Sequence, residues 1–264
     1  RFTQKPLIER GLTAQSVLPV PAFYTEMRHR SLTLLPRAIV DTAYATYSRG
    51  YTPGLGYASI SQAVDAIADF LKQQSDPTHI HLYIPDIDSA CHKRGVGDPY
   101  IFSLTQQIDA QIARLAGMVP KNTRIVITAD HGLIDVPPSN HLPIFQGDPL
   151  LELLEAPPSG DARMPLFHVR PGARQAFVDL FQQRYAHSFV LVSIDEAEEM
   201  GMFGPRPWNP VAKRRFGDFV GIAIRPATLL YHPPVLPTSV TRQIYFAQHA
   251  GLSPDEMYIP VIIA

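Results

Sequence analysis

With Cys91 as its one cysteine, this 264-residue chain has no internal disulfide framework, and a reducing compartment is the simplest setting for it. No uninterrupted apolar run approaches the ~18 residues that a membrane-spanning helix needs. Nor does the sequence open with a basic stretch followed by an apolar one, so the expected location is cytoplasmic. Charge of one sign is also lacking: 23 Lys and Arg against 24 Asp and Glu leave a net charge of -1. No surplus of positive charge therefore offers a nucleic-acid-binding face or an attraction to anionic lipid, and an anionic ligand must be held by local groups. The first residue is Arg1 rather than Met, from which a piece of a longer protein is expected.

What is present is a chain with 45% apolar residues, enough for a sizeable core, and of a length that suits one α/β domain with or without an inserted subdomain. Proline, at 26 residues, points to many loops and turns. Residues 1–50 have apolar patches at 16–21 and 32–40 and are expected to form short strand and helix pieces. From residue 60 to 72 the spacing of Ile60, Val64, Ile67 and Leu71 predicts an amphipathic helix. Residues 79–85 (HIHLYIP) read as a buried strand, residues 99–118 as a second helix, and residues 123–129 (TRIVITA) as a β-branched strand. Helix and strand alternating at these lengths predict a parallel sheet with right-handed crossovers. Farther on, strands are expected at 164–169, 189–194, 216–224 and 259–264 and a helix at 172–185. The expected organisation is a metal-binding α/β core of residues 1–150 and 205–264, with 151–204 as an inserted α+β cap.

Ligands of open α/β sheets collect beyond the carboxyl ends of the strands, and that is where this sequence concentrates carboxylates and imidazoles. The strand at 79–85 leads to Asp88 and His92 (DSACH), the strand at 123–129 ends on Asp130, His131 and Gly132, and His249 precedes the last strand. Mixed carboxylate and imidazole donors suit zinc, with manganese as the alternative. Five such groups fit two ions better than one, and a pair of ions about 4 Å apart can clamp a phosphoryl group. Taken singly, each motif has a plainer reading. Asp88 and His92 suit a helix cap or a surface pair, and Asp130 a cap beside a Gly132 of positive φ. Their order and placement at strand ends set the functional reading above the plain one.

These segments resemble the nucleotide pyrophosphatase/phosphodiesterase family of the alkaline phosphatase superfamily. Residues 83–95 (YIPDIDSACHKRG) resemble the family segment that supplies an Asp and a His to one metal, and residues 127–132 (ITADHG) its most specific motif. Residues 249–260 (HAGLSPDEMYIP) resemble its closing segment. The resemblance implies an alkaline-phosphatase-like three-layer α/β/α core with a mostly parallel sheet. It implies two divalent ions, one held by Asp88, His92 and His249, the other by Asp130, His131 and a further carboxylate. It also implies a Thr or Ser nucleophile on a helix N-terminus, and hydrolysis of a phosphodiester or pyrophosphate bond in a small-molecule phosphate ester or nucleotide. Phosphomonoesterases, sulfatases and phosphoglycerate mutases of the same superfamily, and a non-catalytic metal-binding domain, are the alternatives.

The nucleophile is not recognisable. Asp41 follows an apolar run, but only 47 residues separate it from Asp88, far fewer than the family's spacing. Thr25, Ser31 and Thr33 sit in no nucleophile context, so the N-terminal strands, the nucleophile and one ligand are expected upstream of Arg1, and this chain alone is expected to be inactive. Ala250 stands where the family usually has Gly, from which a small shift of that loop is expected. Cys91 is expected to be packed, His79 and His81 to lie too far from the active end, and His141 to be a weak substrate-contact candidate. Lys213, Arg214 and Arg215 are expected to form a solvated turn into a strand.

Overall fold

The computed structural model describes residues 7–18, 20–234 and 245–264; Pro19 of the 16–21 patch lies outside the described residues. Short 3-10 turns aside, the elements in chain order are a single turn, α1 (Ala14–Val17), then β1 (Arg30–Pro36), α2 (Ala43–Arg49), β2 (Gly54–Tyr57) and α3 (Ile60–Lys72). β3 (Thr78–Leu82), α4 (Asp86–Arg94), α5 (Pro99–Met118) and β4 (Val126–Thr128) follow. The chain continues through β5 (Ile134–Asp135), β6 (His141–Phe145), α6 (Pro149–Glu152), β7 (Ser159–Asp161), β8 (Met164–Phe167) and α7 (Arg174–Tyr185). Last come β9 (Phe189–Ser193), α8 (Ile194–Glu199), α9 (Pro210–Phe216), β10 (Phe219–Ala223), β11 (Thr228–His232), β12 (Ala247–Gln248), α10 (Pro254–Met257) and β13 (Val261–Ile263). The fold class is mixed α/β. Two compact units share these elements, residues 1–89, 99–126 and 262–264 in one, and 90–98 and 127–261 in the other.

The first unit is built on a parallel sheet of order β2-β1-β3. β1 is its middle strand, and Ser31, Leu32, Thr33 and Leu34 are all buried, so both faces are covered and the sequence shows no alternation. That is why residues 1–50 give so weak a strand signal. α3 matches the predicted bounds: Ser59 accepts from the Gln62 N–H at its start, and Ala63, Val64, Ile67 and Ala68 face inward. Ala63, Val64 and Ile67 join Leu32, Leu34, Tyr57 and Leu115 in one apolar cluster. Arg114 of α5 ties the two helices, donating to Asp65 (2.6 Å) and to the Ser61 carbonyl (3.0 Å). At the end of β3, the Tyr83 N–H bonds to the Leu34 carbonyl and its own carbonyl accepts the Tyr57 hydroxyl (2.6 Å). The strand therefore stops short of the predicted Pro85 and hands over to α4.

The second unit holds an antiparallel sheet of order β7-β8-β10-β9. Phe167, Phe177, Phe181, Phe189 and Phe219 form its core. Phe167 meets Phe181 edge-on with centroids 5.5 Å apart, a geometry aromatic pairs favour. Gly172 takes φ +81, which delays α7 to Arg174. The expected turn at Lys213, Arg214 and Arg215 is instead the last turn of helix α9. Asn209 accepts from the Val211 N–H, Pro210 opens the helix, and Gly217 at φ +82 closes it, so Phe216 is helical and β10 starts only at Phe219. Lys213 pairs with Asp195 at 2.8 Å and also with Glu198.

Asp148 caps α6 through the Leu150 N–H and receives a forked pair of bonds from Arg184, at 2.6 and 2.8 Å. The Arg184 bonds hold its carboxyl below the usual range, against the opposing pull of burial. A depressed pKa stabilises the fold above the unfolded value of about 3.9 and loses that contribution as pH falls through the folded value. Thermal unfolding between pH 7 and pH 2 should therefore show a steeper acid loss in the native chain than in Asp148→Asn. Leu34→Ala, at a fully buried position of the central strand, should cost about 2–5 kcal/mol in a denaturant titration.

Candidate metal centre

Three of the predicted ligands come together in the second unit, on elements that lock one another. His92 lies in the last turn of α4. The Val96 N–H just beyond that helix bonds to an Asp135 carboxylate oxygen at 2.7 Å, and Gly95 turns there at φ +90. β5, which carries Asp135, pairs antiparallel with β12, matching Ala247 to Asp135 and Gln248 to Ile134. Continuing that register by one residue sets His249 beside the segment that leaves His131. Backbone bonds close the assembly: Phe246 N–H to the His92 carbonyl and Val136 N–H to the Phe246 carbonyl, both 2.8 Å.

Two of the rings are oriented by backbone carbonyls. His92 Nδ1 lies 2.8 Å from the Ala247 carbonyl and His131 Nδ1 lies 2.9 Å from the Gly132 carbonyl. A carbonyl only accepts, so in the neutral ring each Nδ1 carries the proton and each Nε2 the lone pair. His131 and His249 stack with centroids 3.8 Å apart at 18°, and His92 stands 5.3 Å from His249. Asp130 is three-quarters exposed, with a carboxylate oxygen 3.7 Å from His131 Nε2. Asp88 is half-buried in the first turn of α4 and precedes His92 by four residues, on the same face of that helix. Imidazole Nε2 atoms and carboxylates make a donor set that fits a divalent ion such as zinc or manganese.

Glu256 anchors the loops that carry two of these histidines. Its buried carboxylate accepts from Arg163 Nε (2.5 Å) and Nη2 (2.7 Å), the Ser253 hydroxyl (2.6 Å) and the Gly251 N–H (2.8 Å). Its backbone carbonyl accepts the Gly132 N–H at 2.8 Å. Burial pushes the Glu256 carboxyl up, but the bonds from Arg163, Ser253 and Gly251 outweigh it and leave the group below the usual range.

Gly132 is required for a reason other than positive φ. A Cβ on it would sit 2.0 Å from the Asp255 carbonyl oxygen. Ala250, by contrast, does take φ +75, so the loop keeps a left-handed conformation that glycine adopts more cheaply.

The remaining sequence candidates have local roles. Asp41 is exposed and lies 3.6 Å from Arg49. Thr25, Ser31 and Thr33 donate to the carbonyls of Ala22, His29 and Pro53. His79 and His81, on β3, pack against Tyr24, and burial, then the neighbouring His79, lowers the pKa of His81. His141 Nε2 is 3.3 Å from the Val136 carbonyl, and Cys91 is buried on α4. Glu256 and Arg163 escape sequence reading, because an acidic residue in the first turn of a helix looks like dipole compensation and a lone Arg looks like surface. Gly132→Ala should cost about 1–3 kcal/mol through overpacking, whereas Ala250→Gly should gain about 1 kcal/mol by relieving the left-handed backbone; paired urea titrations measure both.

The model of the type I phosphodiesterase/nucleotide pyrophosphatase family matches residues 9–220. No curated protein sequence matches the chain. Among solved structures, human ectonucleotide pyrophosphatase/phosphodiesterase 5 superposes with a TM-score of 0.64 at 13% identity, covering 89% of this chain and 60% of that one. The murine protein gives 0.62 at 15% identity with the same coverages. Phosphonoacetate hydrolase from Sinorhizobium meliloti 1021, in complex with phosphonoacetate, gives 0.59 at 16% identity over 92% of this chain and 66% of that one. These likenesses show the fold, and this chain spans about two thirds or less of each solved chain's length. With residues 9–220 matched by that family model, the chain belongs to the type I phosphodiesterase/nucleotide pyrophosphatase family.

Proposed function

We propose that this chain is the metal-binding part of a hydrolase of phosphodiester or pyrophosphate bonds, with a nucleotide or related phosphate ester as substrate. The observation that carries the reading is the shared orientation of His92 and His131. Each Nδ1 proton is committed to a backbone carbonyl, leaving Nε2 as a donor beside His249. A pair of divalent ions, most simply zinc, would supply charge neutralisation at phosphorus. Asp88, His92 and His249 would hold one ion, and Asp130 and His131 would contribute to the other. The Gly132 and Ala247 carbonyls would favour the tautomer in which Nε2 can bind an ion, and the exposed Asp130 carboxylate, 3.7 Å from His131 Nε2, would join His131 in the second ligand set.

An inactive form of murine ectonucleotide pyrophosphatase/phosphodiesterase 5, with a threonine replaced by alanine, is solved in complex with AMP, which supports a nucleotide substrate here. Thr25, Ser31 and Thr33 are each engaged by a backbone carbonyl in the first unit. In this reading the attacking hydroxyl, which the family resemblance implies and these three positions do not match, would lie outside these 264 residues. Among the described residues, no helix is long and apolar enough to cross a membrane.

Metal analysis of the chain after dialysis against zinc should find bound metal that EDTA removes. His249→Ala and Asp88→Ala should each lower the zinc content; unchanged content in both would end the metal reading. Bis-p-nitrophenyl phosphate, p-nitrophenyl phosphate, p-nitrophenyl sulfate and phosphonoacetate offered to the intact protein separate the bond types, and the diester should turn over fastest. Robust diester turnover by the 264 residues alone would overturn the assignment of the nucleophile outside them.

A further inference from the structure

We infer that Arg163 and Glu256 are positioning residues for the histidine cluster, acting as one clamp that sets the spacing between the His131 and His249 loops. The inference rests on the reading that these histidines hold metal. Gly132 follows His131 directly, and its N–H is fixed by the Glu256 carbonyl. Gly251 lies two residues beyond His249, and its N–H is fixed by the Glu256 carboxylate. One residue thus holds both loops, through its main chain on one side and its side chain on the other.

Glu256 is itself held. Arg163 is 1% exposed and Glu256 0%, and the guanidinium meets the carboxylate as a fork at 2.5 and 2.7 Å. The third guanidinium nitrogen, Nη1, is spent on the carbonyls of Arg225 (2.9 Å) and Ala227 (3.0 Å), just before β11. Every bond fixes the plane of the fork, and the plane of the fork fixes the carboxylate. Gly251 leaves no room for adjustment, since a Cβ there would lie 2.5 Å from both Arg163 Nη2 and Glu256 Oε2.

A buried pair of this kind is a poor device for stability alone, because desolvation offsets most of its attraction. Its geometry, bidentate and hydrogen-bonded on every side, is what an apolar replacement would lack. Outer-shell partners of metal ligands typically change metal affinity by about 10–100-fold.

The test is zinc affinity of the full chain, read by competition with a chromophoric chelator, together with the cobalt(II) absorption spectrum as a report on ligand geometry. Glu256→Gln and Arg163→Met should each weaken zinc binding by about 10–100-fold and alter the cobalt spectrum. Phe181→Leu, in the aromatic core under β8 and β10, controls for general loosening and should leave affinity within about twofold of the native chain at a similar loss of melting temperature. Ser253→Ala removes one bond to the same carboxylate without stranding a charge, and should weaken zinc binding by about fivefold, the worth of one hydrogen bond. If the buried-pair variants do not fold, the serine variant decides. Native affinity and an unchanged cobalt spectrum in Ser253→Ala, or a loss in Glu256→Gln no greater than in Phe181→Leu, would overturn the inference. His131→Ala and His249→Ala run alongside: if they bind zinc as the native chain does, it is the metal reading that fails, whereas their loss with an unaffected clamp series sinks the positioning role only.

Discussion

A carboxylate with no access to water must have its charge met entirely by the protein, and Glu256 meets that demand with an Arg fork, a hydroxyl and a backbone N–H. The requirement is severe, since an unpartnered charge at full burial costs several kcal/mol or more. Satisfying it forces β8, the approach to β11 and the closing loop into one arrangement, because Arg163 can reach the carboxylate and the Arg225 and Ala227 carbonyls together only from its place before β8. The loops that carry His131 and His249 inherit that arrangement through Gly132 and Gly251.

The imidazoles illustrate how backbone polarity becomes chemistry. Nothing in a histidine dictates which ring nitrogen is protonated, but a carbonyl set beside Nδ1 does. The β5–β12 pairing delivers the Ala247 carbonyl to His92, while the turn at Gly132 delivers its own carbonyl to His131. The same two-stranded pairing aligns His249 with the segment next to His131. A two-residue ladder is too small to be stable alone, and here it is flanked by the Asp135 contact to Val96 and by backbone bonds at Phe246.

Much of the architecture was legible because its elements follow simple periodicities. α3 and α5 begin and end where their apolar stripes do, and β9 and β8 fall inside their predicted ranges. β1 was not legible, since a strand buried on both faces loses the alternation by which strands are recognised. α9 was misread as a turn because three consecutive basic residues suggest solvent, whereas Lys213 there is held by Asp195 and Glu198. The plain reading of Gly132 as a positive-φ turn was also wrong in its physics: the position needs glycine to admit the Asp255 carbonyl, a neighbour more than a hundred residues away in the chain.

By itself, then, the sequence determined the inventory: which residues carry lone pairs, that they sit where strands end, and, by resemblance, the family to which the pattern belongs. Motif order is local information and survives in one dimension. Tertiary structure alone decided that His92 Nδ1 meets the Ala247 carbonyl, that His131 and His249 stack, and that Arg163 and Glu256 bond to each other and to the loops at Gly132 and Gly251. Those facts depend on groups that are distant in the chain and meet only when burial makes their charges and hydrogen bonds answer one another, which no spacing rule encodes.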